Sequence, residues 1–195
     1  VGARKQLDEK SAPLAGLTAV FIFAVQMLNF PVAAGTSGHL LGGALAAVLV
    51  GPYAATLALT VVLLMQGFLF ADGGLTALGL NVFNLSVIAV LVSFLVFKLM
   101  VKLLPKTKSA IPLAAGIAAF VSVPISASAF TMQYAIGGNG TAPVETVLIA
   151  MLSTHLLIGI GEAVITMLTV SAILASRSDL VYGWSRKEVS LEIRS

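Results

Sequence analysis

The sequence predicts an all-α fold, a polytopic transmembrane helical bundle. Three observations carry that prediction. The first is composition. Of 195 residues, 58% are hydrophobic and 10% are charged, and the mean hydropathy is +1.05. A soluble domain carries about 25% charged residues. A chain this poor in charge cannot cover a globule with polar surface, so lipid must solvate it. The second is that the apolar residues gather into six runs. The third is where the eleven Lys and Arg residues fall between those runs.

The runs are Pro13 to Pro31, Gly38 to Gly51, Tyr53 to Ala71, Asn81 to Leu104, Ala110 to Ile136 and Val144 to Ala175. About 20 helical residues cross the roughly 30 Å of hydrocarbon. The third, fourth and fifth runs meet that length easily. The second is short, which calls for a tilted, re-entrant or internally packed segment. The sixth is long enough to project beyond the membrane or to bend at Gly159-Ile160-Gly161. Gly51-Pro52, Asp72-Gly73-Gly74, "LPKTKSAIP" and "GGNGTAP" punctuate the runs with turn residues. This divides the chain into an N-terminal segment 1–12, a bundle 13–175 and an aqueous tail 176–195.

Basic residues favour the cytoplasmic side. Arg4, Lys5 and Lys10 precede the first run. Lys98, Lys102, Lys106 and Lys108 flank the loop at 104–110, and Arg177, Arg186, Lys187 and Arg194 lie in the tail. The connections at 31–38, 72–80 and 137–143 hold none. Six crossings put every basic residue on one side. That predicts a multi-pass membrane protein with both ends of the chain cytoplasmic.

Polar side chains in a bilayer cost free energy unless paired or wet. They concentrate toward the outer half: Gln26, Asn29, Thr36, Ser37, His39, Gln66, Asp72, Asn81 and Asn84. In the sixth run, Met151, His155, Gly159, Glu162, Thr166 and Thr169 recur at steps of three and four, one helical face. His155 and Glu162 are two turns apart, about 10 Å along the axis. Each therefore needs a partner from another helix or from water. Two readings stand for this face: the inner surface of a bundle, or a substrate or coupling site. Asn81 and Asn84 either cap the fourth helix or line a site. His39 either anchors its loop or binds a ligand. Gly38-x-x-x-Gly42 reads as a helix-packing motif, and Asp72 as a turn residue.

Several classes of chemistry are disfavoured. The sequence has no cysteine, no Walker A pattern and no H-E-x-x-H. Ser37 and His39 alone make no hydrolytic triad. The sparse basic residues offer no nucleic-acid surface. Transport is the default for such a bundle, and enzyme activity is not expected.

Three blocks then resemble one family. "MLNFPVAAGTSGHLLGGALAAVLVGP", "MQGFLFADGGLTALGLNVFNL" and "HLLIGIGEAVIT" are similar, in order and spacing, to the CbiM/NikM family. These are membrane substrate-binding (S) components of cobalt and nickel energy-coupling-factor transporters. The similarity runs from about residue 7 to residue 176.

The resemblance implies capture of a divalent transition-metal ion, Co2+ or Ni2+, as transported substrate from outside, with no organic cofactor. It implies a transmembrane coupling protein (CbiQ/NikQ type), a cytoplasmic ATPase (CbiO/NikO type) and, in many systems, a small accessory membrane subunit. The family's site uses an initiator Met amine, backbone and imidazole nitrogen of the next His, and a His from a G-T-S-x-H loop. His39 holds that loop position. The Met-His segment and its helix are absent from the sequence as given. The expectation is a longer natural N-terminus whose Met-His lies beside His39; the alternative is a diverged protein with different ligands. Ser37, Asn81, Asn84, His155 and Glu162 are then expected to line the site or to orient its ligands. Alternatives are a vitamin-type S component, an ion-coupled secondary carrier using His155 or Glu162 as a proton relay, and, more remotely, an intramembrane hydrolase.

Overall fold

A computed structural model of the chain describes residues 11–33 and 36–182. The expectations for residues 1–10 and 183–195 lie outside the described residues. The described part holds six helices and one short hairpin. Helix α1 is Ser11–Gln26, followed by β1 (Phe30–Ala33) and β2 (Thr36–Gly38). Helix α2 is Gly43–Val50 and α3 is Pro52–Phe70. Helix α4 runs Leu75–Leu103, α5 Ala110–Gly137 and α6 Val144–Ser176.

Four of these, α3 to α6, are long and apolar enough to cross a membrane. Their outward side chains are those that lipid solvates. Leu95, Leu99 and Leu103 form one exposed stripe on α4, at steps of four. The sixth run is a single unbroken helix of 33 residues, about 50 Å at 1.5 Å per residue. It therefore resolves its excess length by extending, not by breaking at Gly159–Gly161.

The second run behaves unlike the others. Helix α2 has only eight residues, about 12 Å, and all eight are buried. It touches every other helix, so it forms the centre of the bundle. Before it, residues 39–42 are neither helix nor strand. Five residues from Gly38 to Gly42 can add up to about 16 Å at full stretch. Helix plus unwound lead thus approach the thickness of the hydrocarbon. Non-helical backbone at membrane depth is tolerated only inside protein, and Gly38, Leu40, Leu41 and Gly42 are indeed buried.

Gly38-x-x-x-Gly42 is therefore not a helix-packing motif. Gly38 ends β2, and Gly42 is the residue before α2 with φ of +76°. A Cβ there would be strained by that φ and would stand 2.7 Å from Ile22 Cγ2.

The hairpin replaces the simple loop that the sequence predicts. Its strands pair Phe30 with Gly38, Pro31 with Ser37 and Ala33 with Thr36. Helices α5 and α6 pack along their lengths. Pro124, inside α5, lacks the N–H that would bond the carbonyl of Phe120. That carbonyl faces Gly159 of α6, where a Cβ would come within 3.2 Å. Gly159 is the small residue that lets the backbones meet there. Past the exposed Arg177 and Asp179, the tail returns to the bundle. Val181 is fully buried, and the Tyr182 ring lies 6.4 Å from that of Phe94. Leu180, Val181 and Tyr182 are apolar enough to pack back on the bundle.

Candidate metal site

His39 lies between the hairpin and α2, at the junction of two cavities. The inner one has a volume of about 240 Å³. His39, Asn81, Asn84, Ser126, Thr154 and His155 are its polar side-chain lining, with Met151 beside them. The outer one is about 170 Å³ and is lined by His39, Gln66, Asp72, Gly73 and Asn81 among others. His39, Asn81 and Leu85 belong to both, so they form the partition.

The inner cavity draws on the start of α4, the second half of α5 and the first half of α6. Lys98 and Lys102 occupy the last turns of α4, Lys106 and Lys108 the loop after it, and Arg177 the residue after α6. Cavity and cations therefore sit at opposite ends of the bundle.

Both imidazoles have the same hydrogen-bond arrangement. His39 Nδ1 lies 2.9 Å from the Leu40 carbonyl oxygen. His155 Nδ1 lies 2.7 Å from the Met151 carbonyl oxygen, one turn back on its own helix. A carbonyl can only accept, so Nδ1–H donates in each ring. The neutral ring then keeps a bare lone pair on Nε2, the atom a metal ion binds.

The two asparagines are mostly engaged. Asn84 and Gln133 exchange amide hydrogen bonds of 2.9 and 3.0 Å. Asn84 stands in a π-helical stretch of α4, Val82–Ile88, and its backbone carbonyl accepts from Ser126 Oγ. Such stretches loosen the backbone ladder and are frequent at functional sites. Asn81 Nδ2 donates to the Gly73 carbonyl at 2.9 Å, which ties the α3–α4 turn to the partition. Neither asparagine caps a helix end. Asp72 is the turn residue expected, and it also faces the outer cavity.

Glu162 stands apart from the lining of both cavities. It is 2% exposed. Its Oε2 accepts from the Leu41 N–H and its Oε1 from the Gly42 N–H, each at 2.7 Å. Gln26 Nε2 donates to the Leu41 carbonyl at 2.7 Å. These three bonds take up the N–H and C=O of Leu41 and the N–H of Gly42 in the unwound lead to α2. They also place a carboxylate at the N-terminal end of that helix, where negative charge is favoured. His39 is two residues before Leu41, so Glu162 fixes the strand of chain that presents the imidazole.

Ser37 pairs with Pro31 in the hairpin, and its side chain lies outside the described residues. Among the described residues no three His, Cys, Asp or Glu side chains gather. His39 and His155 both line the inner cavity, and among the described residues neither has a hydrogen bond on Nε2. Gln133 and the role of Gln26 escaped the sequence reading. Their signal was a lone amide within an apolar helix, facing a partner far away in sequence.

Comparison with known proteins agrees with this architecture. Residues 1–180 match the CbiM family, described as a cobalt uptake substrate-specific transmembrane region. A putative fused nickel transport protein, NikMN, from Archaeoglobus fulgidus is 40% identical over 173 residues, 89% of this chain and 57% of that protein. The chain thus spans little more than half of that relative. A cobalt transport protein, CbiM, from Clostridioides difficile is 28% identical over 89% of this chain and 70% of its own length. The crystal structure of a truncated transition metal transporter superposes with a TM-score of 0.73 at 33% identity, covering 89% of this chain and 85% of that one. An all-helical membrane bundle with His39 and His155 facing one cavity is thus a member of the CbiM family of cobalt and nickel transport membrane components.

Proposed function

We propose that this chain is the ion-capturing membrane subunit of an ATP-driven importer of cobalt or nickel ions. The carrying observation is the His39 ring, held through Nδ1 at the junction of two cavities, with no bond on Nε2 among the described residues. Imidazole nitrogen suits Co(II) and Ni(II) alike. His39 is the ligand, and Asn81, Asn84 and His155 line the site. Glu162 positions His39 through the backbone of Leu41 and Gly42. The site opens outward, since the cavities lie at the end opposite the basic residues and basic residues favour the cytoplasm. A transmembrane coupling protein and a cytoplasmic ATPase, as in the resemblance to CbiM/NikM transporters, supply the energy, with a small accessory membrane subunit in some assemblies. A proton relay through Glu162 finds no support in its surroundings, because both oxygens hold backbone N–H groups.

Vesicles reconstituted with the coupling protein and ATPase test this reading. Cobalt or nickel uptake is expected to need ATP and to collapse in His39→Ala. Uptake that persists without the ATPase would instead identify a secondary carrier.

A further inference from the structure

His155 stands about eleven residues into α6, or about 17 Å from its start. A polar side chain at that depth in a membrane helix is a functional candidate by its cost alone. Its surroundings narrow the role. Nδ1–H is spent on the Met151 carbonyl, which also fixes the ring. Among the described residues no group bonds Nε2. Two other polar groups nearby are already used: the Asn84 amide by Gln133, and the Ser126 hydroxyl by the Asn84 carbonyl. His39 and His155 both line the cavity, and each ring spends Nδ1 on a backbone carbonyl. His39 also borders the outer cavity, whereas His155 borders only the inner one. An ion that reaches the inner cavity from the outer one passes the His39 partition before it meets His155.

We infer that His155 is a second metal ligand, an inner station that takes the divalent ion from His39 through its Nε2. The inference rests on the cavity being the cobalt or nickel site. It goes further in making His155 bind the ion, not merely line the wall. An imidazole is a ligand of suitable softness for either ion. Met151, with its thioether in the same wall, adds a softer neighbour. No bond to carbon forms or breaks, and no electron moves. The ion exchanges one neutral nitrogen donor for another, with water filling the remaining positions.

The 195 residues contain no cysteine, which makes a clean test possible. His155→Cys and His39→Cys are made separately in the intact chain, with Ser153→Cys, an exposed position on the same helix, as control. Each is titrated with Co(II) and scanned in the near ultraviolet. Thiolate bound to cobalt gives a ligand-to-metal charge-transfer band, and free thiol does not. The expected result is a band in both histidine variants and none in Ser153→Cys. A band in His39→Cys without one in His155→Cys overturns the inner station and leaves the transport reading intact. Absence of the band in both variants, with folding preserved, overturns the cavity as a metal site altogether. Should His155→Cys fail to fold, His155→Gln in the intact transporter decides. Uptake is expected to slow about tenfold, the scale of losing a metal-supporting group, while cobalt affinity of the chain stays within about twofold. Unchanged uptake overturns the proposal.

Discussion

Glu162 and His155 share one face of α6, two turns apart, yet they do opposite jobs. Glu162 is enclosed, and both of its oxygens hold the backbone of another segment. Among the described residues His155 bonds only its own helix, and it lines a cavity. The carboxylate is scaffold for the unwound lead to α2. The imidazole, on our proposal, belongs to the site. What separates them is where the partner comes from. A polar side chain that satisfies distant backbone holds the fold together, whereas one satisfied locally is free to meet a ligand.

Breaking Glu162 gives the largest expected effect. Glu162→Ala leaves two buried N–H groups without acceptors, at about 1–3 kcal/mol each. Thermal unfolding of the detergent-solubilised chain should show a large drop in Tm, and His155→Ala almost none. Equal losses in the two variants would erase the distinction. Glu162→Gln should fall between them, because one of its two terminal atoms becomes a donor facing an N–H.

The α5–α6 contact comes next. Gly159→Val forces a side chain onto the Phe120 carbonyl, 3.2 Å from the position of an added Cβ. Overpacking of this kind costs about 1–3 kcal/mol. The same unfolding measurement checks it, and metal affinity per folded molecule should hold.

The Asn84–Gln133 amide pair is expected to matter less. Hydrogen bonds between membrane helices average about 0.6 kcal/mol, with a maximum near 1.7 kcal/mol. A double-mutant cycle with Asn84→Leu and Gln133→Leu should give a coupling in that range. Zero coupling would detach the π-helical stretch of α4 from α5. The smallest effect belongs to the Arg177–Asp179 ion pair, whose side chains are each 62% exposed. Arg177→Ala should leave stability unchanged, since solvent screens such a pair.

The sequence already made much of this readable. Composition and the six runs gave a helical membrane bundle, because lipid permits few other solutions. The step pattern of α6 put Met151, His155, Gly159 and Glu162 on one face, where the structure has them. Gly159 was expected to allow close backbone approach, and it does. The functions of Glu162 and His155 were not separable, because their partners lie at residues 41–42 in one case and on the helix itself in the other. No local pattern encodes a contact across 120 residues. The Gly38-x-x-x-Gly42 spacing misled for a related reason. Small residues at that interval serve packed helices and unwound turns equally, and only the +76° φ of Gly42 tells them apart. The hairpin at 30–38 was hidden because its four- and three-residue strands are too short to show alternation.

Metal binding to the intact chain tests the central claim most directly. Calorimetric titration with Ni(II) and Co(II) should give a saturable site in the unmodified chain. His39→Ala should weaken it by more than the roughly 10–100-fold typical of losing an outer supporting partner, with Tm unchanged. Undiminished affinity for both ions in a folded His39→Ala chain would contradict the account.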